Sequence, residues 1–282
     1  MAESLTPEEW EEMFRRDAGA GVPDMSDRDS ACLILEAMNY EQQLIAISGV
    51  LQRNKAADEQ LEAERKEIID FIKRSSGFAQ DHAIGESGEN FYAMVYQGAA
   101  HSMAALGMIA PLFESMFYHA FQGIRKWHFG MNVIPSGHVR ANLKEAEPFW
   151  DCRLLCIPAS PKPEKKLVPG IEQLAEAVGL TAFLPADLHA TLEPLFSYRN
   201  KMFHNGLEWP ALECQRFALR IEQEKWQEWF ESAKHGNDPW IFYMTDKFIA
   251  HCLDMAKCTI ESLGAYSKSH NLIPSVPTDP TR

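Results

Sequence analysis

From Leu33 the apolar positions Leu33, Ala37, Tyr40, Leu44, Ile47 and Leu51 alternate steps of four and three, the seam of a helix packed on another helix. The seam fails around Asn54 to Asp58 and resumes through Leu61, Ile68 and Ile72, which predicts either one long interrupted helix or a helical hairpin. Ahead of it, Thr6-Pro7-Glu8-Glu9 reads as a capping box with proline at the first helical position, starting a short acidic helix to about Asp17, and a Gly- and Pro-containing linker follows to Asp27. Residues 1–75 thus read as a helical arm. A seam of this kind serves equally to cover a core or to pair with a second copy of the chain, and the pattern does not separate the two.

Ser75-Ser76-Gly77 and the Gly85 to Gly88 region punctuate the chain. Gly88 to Trp127 then reads as a long apolar helical region, kinked at Pro111, that forms the central element of the core. Between Phe129 and Gly170 the periodicity dissolves into prolines and glycines, with Leu154-Leu155-Cys156-Ile157 as one candidate short strand. Helical signals return at Ile171 to Val178, Ala186 to His204, Glu213 to Ala233 and Pro239 to Tyr266, the last opened by Asp238-Pro239. In that last segment Ile241, Met244, Phe248, Cys252, Met255 and Thr259 repeat at steps of three and four. The expected fold is therefore all-α: a helical bundle over 76–266 with a Pro-rich loop insertion at about 129–170, the arm before it and a disordered polar tail over 267–282.

Hydrophobic residues at 46% and charged residues at 24% describe a chain that folds. A formal charge of −13 repels polyanions at long range, so any RNA contact has to come from a local cluster of cations. The amino terminus is acidic where a secretory signal is basic, and the most apolar stretch, Met103 to Phe113, is too short for a membrane span and carries Gly107 and Pro111. These features predict a cytoplasmic protein without a membrane partner. The six scattered cysteines read as small buried hydrophobes, and Cys152-x3-Cys156, near His138 and Asp151, reads as a buried strand in preference to a zinc site. No metal or cofactor is expected, and neither a phosphate-binding glycine loop nor a nucleophile elbow is recognisable.

The chemistry concentrates in Leu195-Phe196-Ser197-Tyr198-Arg199-Asn200-Lys201-Met202-Phe203-His204-Asn205-Gly206. Asn205-Gly206 is a helix-stop signal, because both residues tolerate the left-handed conformation of a helix end. His204 is therefore placed in the last turn, with Asn200 one turn earlier on the same face. Arg199 reaches toward the histidine across a fraying turn only through its long side chain. An imidazole supplies a proton carrier and a guanidinium a fixed cation for charge developing on phosphoryl oxygens, with an amide to orient either. The bland alternative is a structural hydrogen-bonded pair closing a helix end. A bare Arg-x4-His is expected about half a time by chance in this composition, and requiring asparagine after the arginine lowers that to roughly one in seventy.

Arg199-Asn200-Lys201-Met202-Phe203-His204, near a helix end in a helical bundle, resembles the RNxxxH signature of the HEPN superfamily. The likeness spans roughly Asn90 to Tyr266. It implies a four- or five-helix bundle, usually a homodimer with two motif copies facing one cleft, and metal-independent endoribonuclease activity of a defence or toxin–antitoxin type, with attack by the ribose 2′-hydroxyl. On that resemblance His204 is the general acid/base, Arg199 the phosphate and transition-state cation, Asn200 a polar auxiliary, and Glu114 the acidic residue beside the arginine. RNA is the implied substrate and an antitoxin a further implied partner. Lys201, Arg216 and Arg220, with Lys162, Lys165 and Lys166 in the Pro-rich loop, are the candidate phosphate contacts; each reads more readily as a solvated surface charge. One departure is Gly206, where some members carry a modifiable tyrosine. The alternative is a non-catalytic HEPN module for dimerisation and partner or nucleotide binding.

Overall fold

The computed structural model describes residues 25–35, 38–128, 138–143, 146–158, 160, 162–270 and 272. The expected capping-box helix, most of the linker after it, Ala37 and residues 273–282 lie outside these. In chain order the elements are α1 (Asp27–Leu35), α2 (Tyr40–Arg74), α3 (Phe78–His128), a 3-10 turn (Val139–Asn142), α4 (Ala146–Trp150), β1 (Leu154–Leu155), β2 (Glu164–Lys165), α5 (Leu167–Ala177), α6 (Leu188–Asn205), α7 (Ala211–Gln223), β3 (Phe230–His235), β4 (Asp238–Met244) and α8 (Asp246–Ser269). Among the described residues the fold is mostly helical, with two small antiparallel sheets, β1–β2 and β3–β4. No described helix is long and apolar enough to cross a membrane.

The N-terminal seam divides between two helices. Asn39 caps α2 by accepting from the Gln42 amide, so Leu33 belongs to α1 while Tyr40, Leu44, Ile47 and Leu51 carry the buried stripe of α2. Through Asn54 to Asp58, where the seam lapses, α2 runs on unbroken, and the chain doubles back at Gly77, which adopts a left-handed φ of 62°. The next helix begins at Phe78, ahead of the expected Gly88, and continues through Gly85, Gly88 and Pro111. An interior glycine costs a helix only about 1 kcal/mol, which packing against α2 offsets. Pro111 lies on the exposed face, where water can serve the carbonyl its missing N–H leaves free.

Two close backbone approaches lock α1 into the same core. A Cβ on Gly123 would lie 1.9 Å from Ile34 O, and one on Gly264 1.5 Å from Asp27 O, so α1 rides directly on α3 and α8. Ala31, Ile34 and Leu35 therefore share one hydrophobic cluster with Phe113, Phe117 and Phe248.

Between Glu213 and Met244 the structure departs most from the expected helices. The expected helix to Ala233 stops at Gln223, since Lys225 takes a left-handed φ of 60° that no glycine advertises. Phe230–His235 and Asp238–Met244 then form a β-hairpin, where a helix had been expected from Pro239. A register irregularity at Ala233/Lys234 sits where the pairing reaches Pro239, which has no N–H for the ladder. The helix that follows starts after Thr245, whose hydroxyl accepts from the Phe248 amide. Ile241 and Met244 are buried from the strand, between α3 and α7, so their helical spacing to Phe248 is accidental. The same helix continues past the expected start of the tail to Ser269, and Leu272 is buried.

Candidate functional site

The motif lies on α6, which buries Leu195, Tyr198 and Met202 and turns Arg199, Asn200, Phe203 and His204 outward. Tyr198 anchors it: its hydroxyl donates to Phe242 O on β4 at 2.6 Å, and burial pushes its pKa upward. The helix ends as the Asn205-Gly206 signal predicts, with Gly206 at φ 77° donating its amide to Met202 O.

Arg199 and Asn200 open onto a cleft of about 1160 Å³. One wall is α6 from His189 to Lys201, with Glu114 of α3 and Arg220 of α7 beside it; the facing wall is Asp151 to Leu154 with Lys165 to Pro169. Of the expected site residues, the structure brings Glu114, Arg199, Asn200, Lys201 and Arg220 together here. Arg216 is paired with Glu213 on α7 and does not line the cleft. His204, in the last turn, is exposed and does not line it either. The Arg199 guanidinium turns to Glu114 at 3.9 Å, donates to Asn200 Oδ1 at 3.2 Å and lies 5.7 Å from the Phe203 ring centroid, partners that do not include His204.

The cations of the cleft differ in how firmly they are held. Arg153 grips Asp151 with two hydrogen bonds of 2.8 and 2.9 Å; Lys166 pairs with Glu164, Lys201 with Glu213, and Arg220 with both Glu193 and Ser197. Burial raises the Asp151 pKa, but the hydrogen bonds and charge of Arg153 outweigh it and hold the carboxyl below its ordinary value. Glu213 is likewise held low, by its bonds to Lys201 and Arg216. Arg199, with a loose ion pair and one hydrogen bond, keeps most of its five donors open. Among the described residues Lys165, exposed on β2, forms no ion pair.

Two features of the cleft carried no signal in the sequence. His189 lines it with its Nδ1 2.7 Å from Glu172 Oε1, a histidine–carboxylate pair joining α6 to α5. Arg140, fully buried, holds up the facing wall by donating to the carbonyls of Phe149, Asp151 and Leu154 at 2.9, 2.7 and 2.7 Å. Burial lowers its pKa from the ordinary arginine value. Gln173 completes the brace by accepting from the Cys156 amide and donating to Cys156 O. Among the described residues no group of His, Cys, Asp or Glu is arranged to hold a metal ion, and Cys152 and Cys156 are buried free thiols, the first pushed up to about 12 by burial.

Comparison with protein-family models, with curated proteins and with solved structures finds no match.

Proposed function

We infer that the chain is a HEPN-type endoribonuclease that cleaves RNA without a metal, the cleft holding the phosphodiester against Arg199 and Asn200. The observation that carries this reading is the state of Arg199: a guanidinium on the cleft wall, oriented by Glu114 at 3.9 Å and Asn200 at 3.2 Å yet with donors to spare. Such a group can bind a phosphoryl oxygen and stabilise the charge that grows on it, whereas a saturated ion pair would first have to break. A 2′-hydroxyl attack also needs a proton carrier. His204 supplies it from the same exposed face of α6, one turn after Asn200, and within one chain it stands outside the cleft. The reading therefore requires the reacting phosphate to sit at the α6 end of the cleft, or a second copy to bring its own His204.

The test is incubation of purified protein with RNA in EDTA, comparing wild type with Arg199→Ala, His204→Ala and His189→Ala. Loss of cleavage in the first two, with His189→Ala active, supports the assigned roles. Loss in His189→Ala with His204→Ala active would move the proton carrier to the His189–Glu172 pair.

A second reading, a non-catalytic module that binds a polyanion, is favoured by the placement of His204 away from the cleft lining. It predicts RNA binding without cleavage in every lane.

A further inference from the structure

From His101 to Ile124 α3 is largely buried, yet Gly107, Pro111, Glu114 and Tyr118 form a stripe along one side of it that is exposed or only half-buried. Their spacing of four, three and four is that of a single helix face. Three side chains from other elements meet this stripe in order. The Phe203 ring lies beside Gly107, Arg199 faces Glu114, and Arg153 lies 5.8 Å from the centroid of the Tyr118 ring. Tyr118 lines a second cavity, of about 400 Å³, that shares Asp151, Arg153 and Leu154 with the main cleft, so the two adjoin at that wall and together make a groove.

Phe203 is 56% exposed and Tyr118 38%, although large aromatic side chains gain most from burial. Each has an arginine of the groove near its ring, Arg199 at 5.7 Å and Arg153 at 5.8 Å. Charge alone is a poor source of affinity here. Arg153, Lys165, Lys166, Arg199, Lys201 and Arg220 face the carboxylates Glu114, Asp151, Glu193 and Glu224, in a chain of net charge −13. A nucleic acid that binds this groove must draw on something besides phosphate neutralisation, and the exposed rings offer it: Tyr118 lines the smaller cavity, and Phe203 stands outside the lining of the larger one, beside Arg199.

We propose that Phe203 and Tyr118 are base-stacking platforms, and that the groove therefore takes single-stranded RNA, with bases against the two rings and the phosphate between them against Arg199. The inference rests on the reading of the cleft as an RNA site and adds its substrate class and two residues to it. Along α3 the two platforms are roughly 16 Å apart, from eleven residues at about 1.5 Å each. That separation spans a few nucleotides of an extended strand with the Arg199 site between them. A duplex, whose bases are already stacked on one another, cannot offer them to either ring.

The test is binding of a short fluorescein-labelled 2′-O-methyl oligonucleotide, which lacks the attacking hydroxyl and so cannot be cut by the proposed chemistry. Fluorescence anisotropy of the full chain compares it with its duplex and with a version carrying abasic positions. The wild type is expected to prefer the single strand, and Phe203→Ala and Tyr118→Ala each to raise Kd roughly 5- to 150-fold. Phe203→Leu keeps an apolar side chain without the aromatic face and weakens binding as the alanine does, while Phe203→Trp retains it. With about two net charges neutralised, the slope of log K against log salt is about −1.4. Abasic strands that bind as well as the intact one, variants that bind like wild type, or no binding at all would overturn the proposal. Wild-type binding of this pattern together with failure to cut ordinary RNA would instead remove the nuclease reading and leave the stacking site standing.

Discussion

Replacing Arg140 by methionine removes the buried guanidinium that organises the cleft's facing wall. Its five hydrogen bonds go to Phe149 O, Leu154 O, Asp151 O, Pro148 O and Gln173 Oε1 at 2.9, 2.7, 2.7, 3.4 and 3.2 Å. Three of those acceptors keep a second donor: Leu154 N for Asp151 O, Asp151 N for Pro148 O and Cys156 N for Gln173 Oε1. Phe149 O and Leu154 O take the larger share of the loss, at about 1–3 kcal/mol for each buried acceptor left without a partner. Arg140 makes its bonds to carbonyls and an amide rather than to a carboxylate, so removing it also relieves the cost of burying its charge. The net expectation is a loss of about 3 kcal/mol. Urea unfolding of wild type and Arg140→Met measures the total, and amide exchange locates it. Protection at Leu154 and Cys156 should fall further than protection in the middle of α8. A loss under about 1 kcal/mol with unchanged exchange across 151–156 would refute the view that a single side chain holds this wall.

Other perturbations test the frame and the wall. Gly264→Ala puts a methyl 1.5 Å from Asp27 O, so α1 must lift off α8, and a loss of about 2–4 kcal/mol in denaturant unfolding is expected; wild-type stability would contradict the close approach. Asp151 is ionised below its ordinary range, so its contribution is complete above about pH 4 and is lost as pH falls through its lower folded value. Asp151→Asn should therefore flatten the acid side of the stability–pH curve below pH ~4, and an unchanged acid limb would remove this carboxylate from the account.

The legible parts of this chain are those where one face of an element is buried and the other is wet. On α6 the stop signal at Asn205-Gly206 and the polar outward face could be read directly, and on α2 the stripe of Tyr40, Leu44, Ile47 and Leu51 could be too. The β3–β4 hairpin was illegible because α3 and α7 pack on β4, so Trp240 to Met244 shows no alternation, and because the turn into it uses Lys225 at positive φ. Within the site, adjacency in sequence placed Arg199 with Asn200, and resemblance placed Glu114 beside them. The facing wall could not be found that way. It consists of two-residue strands held by Arg140 and Gln173 across gaps of up to 33 residues, and such braces leave no periodic trace. His204 was placed correctly along the helix, but the direction of the Arg199 side chain depends on Glu114 and Phe203, which helical geometry alone does not weigh.

The proposed function turns on Arg199 stabilising a phosphodiester under attack by its own 2′-hydroxyl. Its most direct test is one digest in EDTA of a ribo-oligonucleotide and its all-2′-deoxy twin, with wild type and Arg199→Ala. The account predicts that wild type cuts only the ribo strand, leaving 2′,3′-cyclic phosphate and 5′-hydroxyl ends, and that Arg199→Ala is slower by about 10²–10³. Cleavage of the deoxy twin, or an Arg199→Ala rate equal to wild type, would contradict it.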